Sequence, residues 1–258
     1  EKFWNLKCRY SGLVPNCSVV VATIRALKMH GGGPKVVPGT PLARVYTEPN
    51  PTLVEKGVEN LLAHIETVKK SRVTPVVCIN HFKTDSDDEV AVVRKAAEAL
   101  GVRVAVSKHW ELGGEGAIEL SEAVLDACES EPQFRLLYED DTPVKDKISR
   151  IATEVYGANG VTFSDTAEKK LKDIQGDDEL RKLGICMVKT HLSLSHDPNV
   201  KGRPKGWTLP IRDVLMYAGA GVIVPVAGDI KLMPGTASDP AFRKVDVDVH
   251  TGRVYGLF

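Results

Sequence analysis

From Val76 the chain reads VVCINHFKTD (76–85), SDDEVAVVRKAAEAL (86–100), VRVAVSKHWELGGEG (102–116) and AIELSEAVL (117–125). Twice over, a short apolar run ends in a polar hook and gives way to an amphipathic helix. That alternation predicts βαβ units in a parallel sheet, and so an α/β fold. In open sheets of this kind ligands sit beyond the carboxyl ends of the strands. The first hook carries Asn80 and Phe82, the second Ser107, Lys108 and Trp110. If the two strands are neighbours, two flat rings face one crevice, which suits a flat heterocycle held between them.

Towards the N-terminus, CSVVVAT (17–23) is β-branched and apolar and reads as a strand buried on both faces. IRALKMHGGG follows as a helical or turn segment stopped by Gly31, Gly32 and Gly33. Those glycines read either as a helix cap with a surface excursion or as a loop where backbone approaches a ligand. The proline-rich stretch 34–51 has no period and reads as an irregular connector. From Thr52, apolar residues at helical spacing (Leu53, Val54, Val58, Leu61, Leu62, Ile65, Val68) predict a helix with one packed face.

Beyond a helix ending near Cys128, SEPQF (130–134) punctuates. VKDKISRIATEVYG (144–157) reads as one helix stopped at Gly157, and SDTAEKKLKDIQ (164–175) as a helix capped by Ser164. GICMVKT (184–190) reads as a strand and the segment 191–207 as a long polar loop. LPIRDVLMYAGAG (209–221) fits helix or mixed structure, with its break at Ala218 to Gly221. VIVPVAGDIKLM (222–233) contains a proline and reads as an edge strand or two short strands. KVDVDVHTGRVYGLF alternates around HTG and reads as a terminal hairpin, with Asp246 and Asp248 pointing outward. The whole divides as residues 1–130, an α/β domain, and 131–258, a smaller C-terminal α/β domain.

Composition narrows the function classes. Among 258 residues, Lys plus Arg and Asp plus Glu are both 34, which argues against a nucleic-acid footprint. No apolar run reaches the roughly 18 residues of a membrane span, and no signal-peptide pattern is present. Five scattered cysteines in apolar surroundings suit a reducing compartment, the cytoplasm or an organelle matrix. The opening EKFWNLKCRYSG, without Met, reads as the interior of a fold, and so as the start of a fragment or a processed half.

Phosphate-binding motifs are missing. GGGPKV lacks the spacing and hydroxyl of G-x-x-x-x-G-K-[ST], and AGAGVIV has Val where G-x-G-x-x-G needs its last glycine. Asn80 could read a ring edge, since its amide both donates and accepts, although Asn is also common in turns. Phe82 and Trp110 read as a stacking pair or as two core rings. The run Gly113, Gly114, Glu115, Gly116 allows backbone to approach a ligand and could bind an anion through free N–H groups, or serve as a tight entry turn. His191 and His196 lack a third ligand at metal spacing, so no metal site is expected. KGRPKGW (201–207) reads as a solvated basic loop, with capture of a polyanionic tail as the alternative.

Assembled, the stretches KCRYSGLVPN, VVVATIRALKMHGG, NHFKTD, HWELGGEG, DKISRIATEVYGA, MVKTHLSLSHDP, GAGVIVPVAGDIKLMPG and VYGLF resemble the C-terminal half of the formate–tetrahydrofolate ligase family. The match departs from the commonest family pattern at MPGTASDP (233–240). The resemblance implies part of a P-loop-type ligase fold whose phosphate-binding half lies N-terminal to this chain. It implies ATP with Mg, formate and tetrahydrofolate as reactants, formyl phosphate as intermediate and 10-formyltetrahydrofolate as product. It places the ring clamp on Phe82 and Trp110, for pterin or adenine, and no catalytic residue in this half. It also implies a homotetramer when complete and an inactive isolated fragment. A non-catalytic folate- or nucleotide-binding module working with a separate N-terminal subunit is the alternative, and a plain assembly scaffold a third.

Overall fold

The computed structural model describes residues 1–37, 39–228 and 239–256. Three parallel strands form the first sheet: β1 (Cys17–Ala22), β2 (Thr74–Asn80) and β3 (Arg103–Ser107), in that order. Between β1 and β2 run α1 (Ile24–His30) and α2 (Pro51–Lys70), and between β2 and β3 runs α3 (Asp87–Glu98). The helix α4 (Ile118–Ala127) follows β3. These are the βαβ units expected from the central stretch. The central strand β2 is apolar between Thr74 and Asn80 because it is covered on both sides: Val77 and Ile79 pack with Ile24, Val54, Leu61 and Val93, while Val76 packs with Ala105, Ala123 and Ala127.

The expectation for β1 is corrected. It is an outer strand of the sheet, and Val19 and Val21 on one face are 40% and 63% exposed, because α4 covers β2, β3 and only the start of β1, at Cys17. The glycine loop also has a packing explanation. A Cβ on Gly31 would lie 1.9 Å from the Leu53 carbonyl oxygen, and one on Gly57 would lie 1.8 Å from that of Leu27. The two glycines let α1 and α2 touch backbone to backbone.

Local chemistry sets the helix starts. Asn50 Oδ1 accepts from Leu53 N–H at 3.1 Å with Pro51 in the first turn of α2, and Ser86 and Glu89 form a reciprocal capping box on α3. Glu89 does more than cap. Fully buried, it meets the equally buried Lys28 of α1 at 2.6 Å. The Asn50 N–H donates to the same Glu89 oxygen, Oε1, at 2.7 Å, and Lys28 Nζ donates to the Glu48 carbonyl at 2.8 Å. Burial alone would raise the Glu89 carboxyl, but Lys28 and the N–H groups of Ser86 and Asn50 bring it below its usual range.

The second sheet contains β4 (Gly160–Phe163), β5 (Gly184–Ile185), β6 (Thr208–Tyr217) and β7 (Val222–Ala227) in the order β4-β6-β7-β5. The helices α5 (Val144–Arg150), which runs on as a wider π-type turn to Val155, and α6 (Asp165–Gln175) pack against it. Three expectations change here. The stretch 209–221 is a strand up to Tyr217, and its helical look comes from a β-bulge between Ile211 and Asp213 that respaces the buried residues to 209, 211 and 214. β7 is interior, not an edge, despite Pro225. Pro225 has no N–H for the Cys186 carbonyl, so the parallel ladder to β5 stops after Ile185 and resumes only as a bridge at Val188. The expected strand 184–190 is therefore short.

The loop 201–207 is docked, not solvated. Gly202 is held from both sides, its N–H by His30 Nδ1 at 3.1 Å and its carbonyl by Asn60 Nδ2 at 2.9 Å, while Arg203 pairs in a fork with Glu66. Trp207 packs beside the core of the second sheet, against His196 at 6.0 Å between ring centroids. The terminal hairpin forms from Asp246–Val247 and Val254–Tyr255. The family departure at 233–240 lies, for residues 233–238, outside the described residues, as do residues 229–232 of the expected strand region.

Two outcomes follow from these contacts. Lys28→Met leaves a carboxylate buried without its cation and should cost about 3–5 kcal/mol, read by urea unfolding. For His30, burial first, then the charges of Lys201 and His64, push the pKa down to about 4. The native imidazole resists protonation while the unfolded chain takes a proton near 6.5. The stability tied to His30 is therefore complete above pH 6.5 and is lost as pH falls towards 4. The stability advantage of wild type over His30→Gln should shrink across that window; parallel pH profiles would contradict the assignment.

Candidate functional site

Strands β2 and β3 are in register with Asn80 opposite Ser107, and the His81 N–H donates to the Ser107 carbonyl at 3.0 Å. The two hooks therefore leave the sheet side by side at its carboxyl end. The first is a turn closed twice: Asp85 N–H donates to the Phe82 carbonyl and Phe82 N–H to Asp85 Oδ2, both at 2.9 Å. The capping box at Ser86 then starts α3. The Arg25 guanidinium lies on the Phe82 ring, 4.4 Å from its centroid, and Arg25 Nη2 donates to Thr84 Oγ at 3.2 Å.

The second hook makes one helical turn, His109–Leu112, and then a 3₁₀ segment, Gly113–Ala117. Gly113 has φ near +60°, and the Lys108 N–H donates to the Gly116 carbonyl at 2.8 Å. A Cβ on Gly116 would lie 2.4 Å from the Lys108 carbonyl oxygen, so the two ends of the hook close only on glycine. Gly114 has open space around it, and Glu115 is exposed. Trp110 is 88% exposed and belongs to neither core.

The other expected site residues fall as follows. Asn80 is half-buried at the mouth of β2. Ser107 is buried, its Oγ 2.8 Å from His109 Nδ1, so the hydroxyl is turned to the hook itself. Lys108, Glu115 and Gly116 line a cleft of about 340 Å³ together with His81, Val106 and Leu112, rimmed by Asp87 and Glu119. Neither Phe82 nor Trp110 lines that cleft, and the two rings make no contact with each other.

Sequence reasoning passed over Arg25, His81 and Asp85. Arg25 Nε, His81 Nδ1 and Asp85 Oδ1 are buried without a hydrogen-bond partner, all three around the mouth of the first hook. Burial pushes the Asp85 carboxyl up, partly offset by the Phe82 N–H and by His81 and Arg25 nearby. A signal was present: Arg25 stands in the first turn after β1, which ends at the same crevice as β2. Among the described residues no group of three His, Cys, Asp or Glu could hold a metal ion. All five cysteines are free, and no described helix is long and apolar enough to cross a membrane.

The family profile described as formate–tetrahydrofolate ligase matches residues 1–258. Curated proteins named formate–tetrahydrofolate ligase from Dehalococcoides mccartyi, Desulfotalea psychrophila and Syntrophobacter fumaroxidans are 61%, 61% and 58% identical over all 258 residues. The chain spans 43%, 46% and 44% of their respective lengths.

Two of the three glycines of the second hook give a paired test. Gly116→Ala should cost about 1–3 kcal/mol through the clash with Lys108, whereas Gly114→Ala should stay within about 0.5 kcal/mol of wild type. Thermal unfolding of both variants reads the difference.

Proposed function

Because the chain belongs to the formate–tetrahydrofolate ligase family, we propose that it is the part of an ATP-dependent ligase that holds the heterocycle while formate is joined to tetrahydrofolate. The observation that carries this reading is the register of Asn80 with Ser107, which sets the two ring-bearing hooks side by side while leaving Trp110 free of the core. A ring held against solvent has no packing purpose here, and a flat ligand would bury it.

In this reading a formate oxygen takes the γ-phosphoryl group of ATP, releasing ADP and giving formyl phosphate; N10 of tetrahydrofolate then attacks the formyl carbon, phosphate leaves with the electrons of the C–O bond, and loss of the N10 proton gives 10-formyltetrahydrofolate. ATP, with magnesium, supplies the phosphoryl group, and its site belongs to the part of the family's length that this chain does not span. The residues here bind and orient. Phe82 offers one ring face, Trp110 closes over the ligand, Asn80 and Lys108 meet its polar edge, and Gly113 to Gly116 let backbone come close. Fixing the ring in this way lowers the entropic cost of presenting N10 to the acyl carbon. The division at residues 130 and 131, a cytoplasmic setting and assembly into a homo-oligomer form part of the same reading.

The test uses the protein as its gene encodes it. ATP- and formate-dependent formylation of tetrahydrofolate is expected, and Trp110→Ala should weaken tetrahydrofolate binding about two- to tenfold with formate affinity unchanged. Absence of formylation, or a Trp110→Ala variant with unaltered affinity, would contradict it.

A further inference from the structure

We propose that Arg25 is a positioning residue of the heterocycle site, acting through Phe82; this rests on the reading given above. Arg25 stands on the first turn of α1, one residue after β1 gives way to helix, and its guanidinium covers one face of Phe82 at 4.4 Å. The same side chain bonds Thr84 within the hook at 3.2 Å. It therefore grips the hook at two points, a ring face and a hydroxyl two residues further on. Among the described residues it has no carboxylate within ion-pair distance; its charge faces the ring and also acts on the nearby Asp85 carboxyl.

This arrangement has a consequence for what can bind. One face of Phe82 is taken, and a flat ligand has only the other. The stack then runs guanidinium, phenyl, heterocycle. A cation behind a ring draws π density towards itself and leaves the far face less negative. That face accepts the π cloud of an amino-substituted, electron-rich fused ring more readily than bare phenyl does. The class of ligand selected is thus an aminopyrimidine-bearing fused ring, such as a reduced pterin.

A second observation is independent of the stack. Arg25 Nε, Asp85 Oδ1 and His81 Nδ1 are all buried and all lack a partner. Unmet buried donors and acceptors are uncommon in a finished interior and destabilise it. Three of them at one strand mouth mark a site whose polar network is completed when a ligand arrives and the hook settles around it. Arg25 Nη2 has its acceptor in Thr84, but Nε, turned into the same mouth, has none within the fold.

The experiment measures tetrahydrofolate binding by equilibrium dialysis, with KM values for tetrahydrofolate and formate, for wild type, Arg25→Met, Arg25→Lys and Phe82→Ala in the protein as its gene encodes it. The expected result is that Arg25→Met weakens tetrahydrofolate binding about three- to thirtyfold and raises its KM, with KM for formate and the melting temperature unchanged. Arg25→Lys, which keeps a cation for the ring, should recover most of the affinity. If Phe82→Ala weakens binding and Arg25→Met does not, the inference falls and the heterocycle reading stands. If neither variant matters, both fall. If Arg25→Met and Arg25→Lys lose affinity equally and melt earlier together, the residue is structural and the inference is overturned.

Discussion

The contact between Lys28 and Glu89 is the constraint from which the carboxyl end of the first sheet is built. A carboxylate and an ammonium with no exposed side-chain surface must satisfy each other or be strongly destabilising. They do so with help from Asn50 N–H, Ser86 and the Glu48 carbonyl, so one ion pair fastens α1, the connector before α2 and the start of α3. Buried pairs are weak sources of net stability, but they specify geometry because any slip leaves a charge unpaired. Arg25 stands three residues before Lys28 on α1, on the same side of the helix. The clasp at Lys28 thus sets where Arg25 falls, and Arg25 falls on Phe82.

The hook itself is short because both its ends are fixed. Asn80 is tied into the β ladder opposite Ser107, and Ser86 is tied to Glu89 by the capping box. Five residues must bridge that gap, and the double closure between Phe82 and Asp85 is how they do it. The second hook is shaped differently, by the positive φ of Gly113 and the close contact at Gly116, and its outward part carries Trp110 into solvent. One ring is therefore placed by a network and the other by backbone shape. The cleft between the hooks is lined by His81 and Lys108 and not by either ring.

These differences explain what could be read in advance. The units around β2 and β3 were legible because their apolar spacing, caps and glycines all point to one structure. So were the irregular connector, the helix capped by Ser164 and the terminal hairpin. The strand at 208–217 was not, because a bulge breaks period two where Arg212 is inserted and leaves a three-residue gap that mimics a helix. Pro225 misled for a related reason: its missing N–H falls on the side of a ladder that is itself interrupted, so an interior strand tolerates it. At the site, Phe82 and Trp110 stood out as aromatics in hooks, whereas Arg25 lies 57 residues before Phe82 in sequence. Only the parallel pairing of β1 with β2 brings it to the same mouth. Contacts across a parallel sheet carry no local spacing signal.

The docked loop at 201–207 extends the same logic to the second sheet. Gly202 offers its N–H to His30, the last residue of α1, and its carbonyl to Asn60 in α2. The helix that carries Arg25 and Lys28 is therefore pinned at its far end by the second half of the chain. Seven residues of α1 hold the ring contact, the buried ion pair and this junction in sequence along one element. A helix that short has little stability of its own, since nucleation in water is costly and only tertiary contacts can offset it. Its position is thus decided entirely by what it touches. The second half of the chain therefore reaches α1 at His30 and α2 at Asn60 and Glu66, and the first of these contacts bears directly on the helix that carries Arg25 to the Phe82 ring.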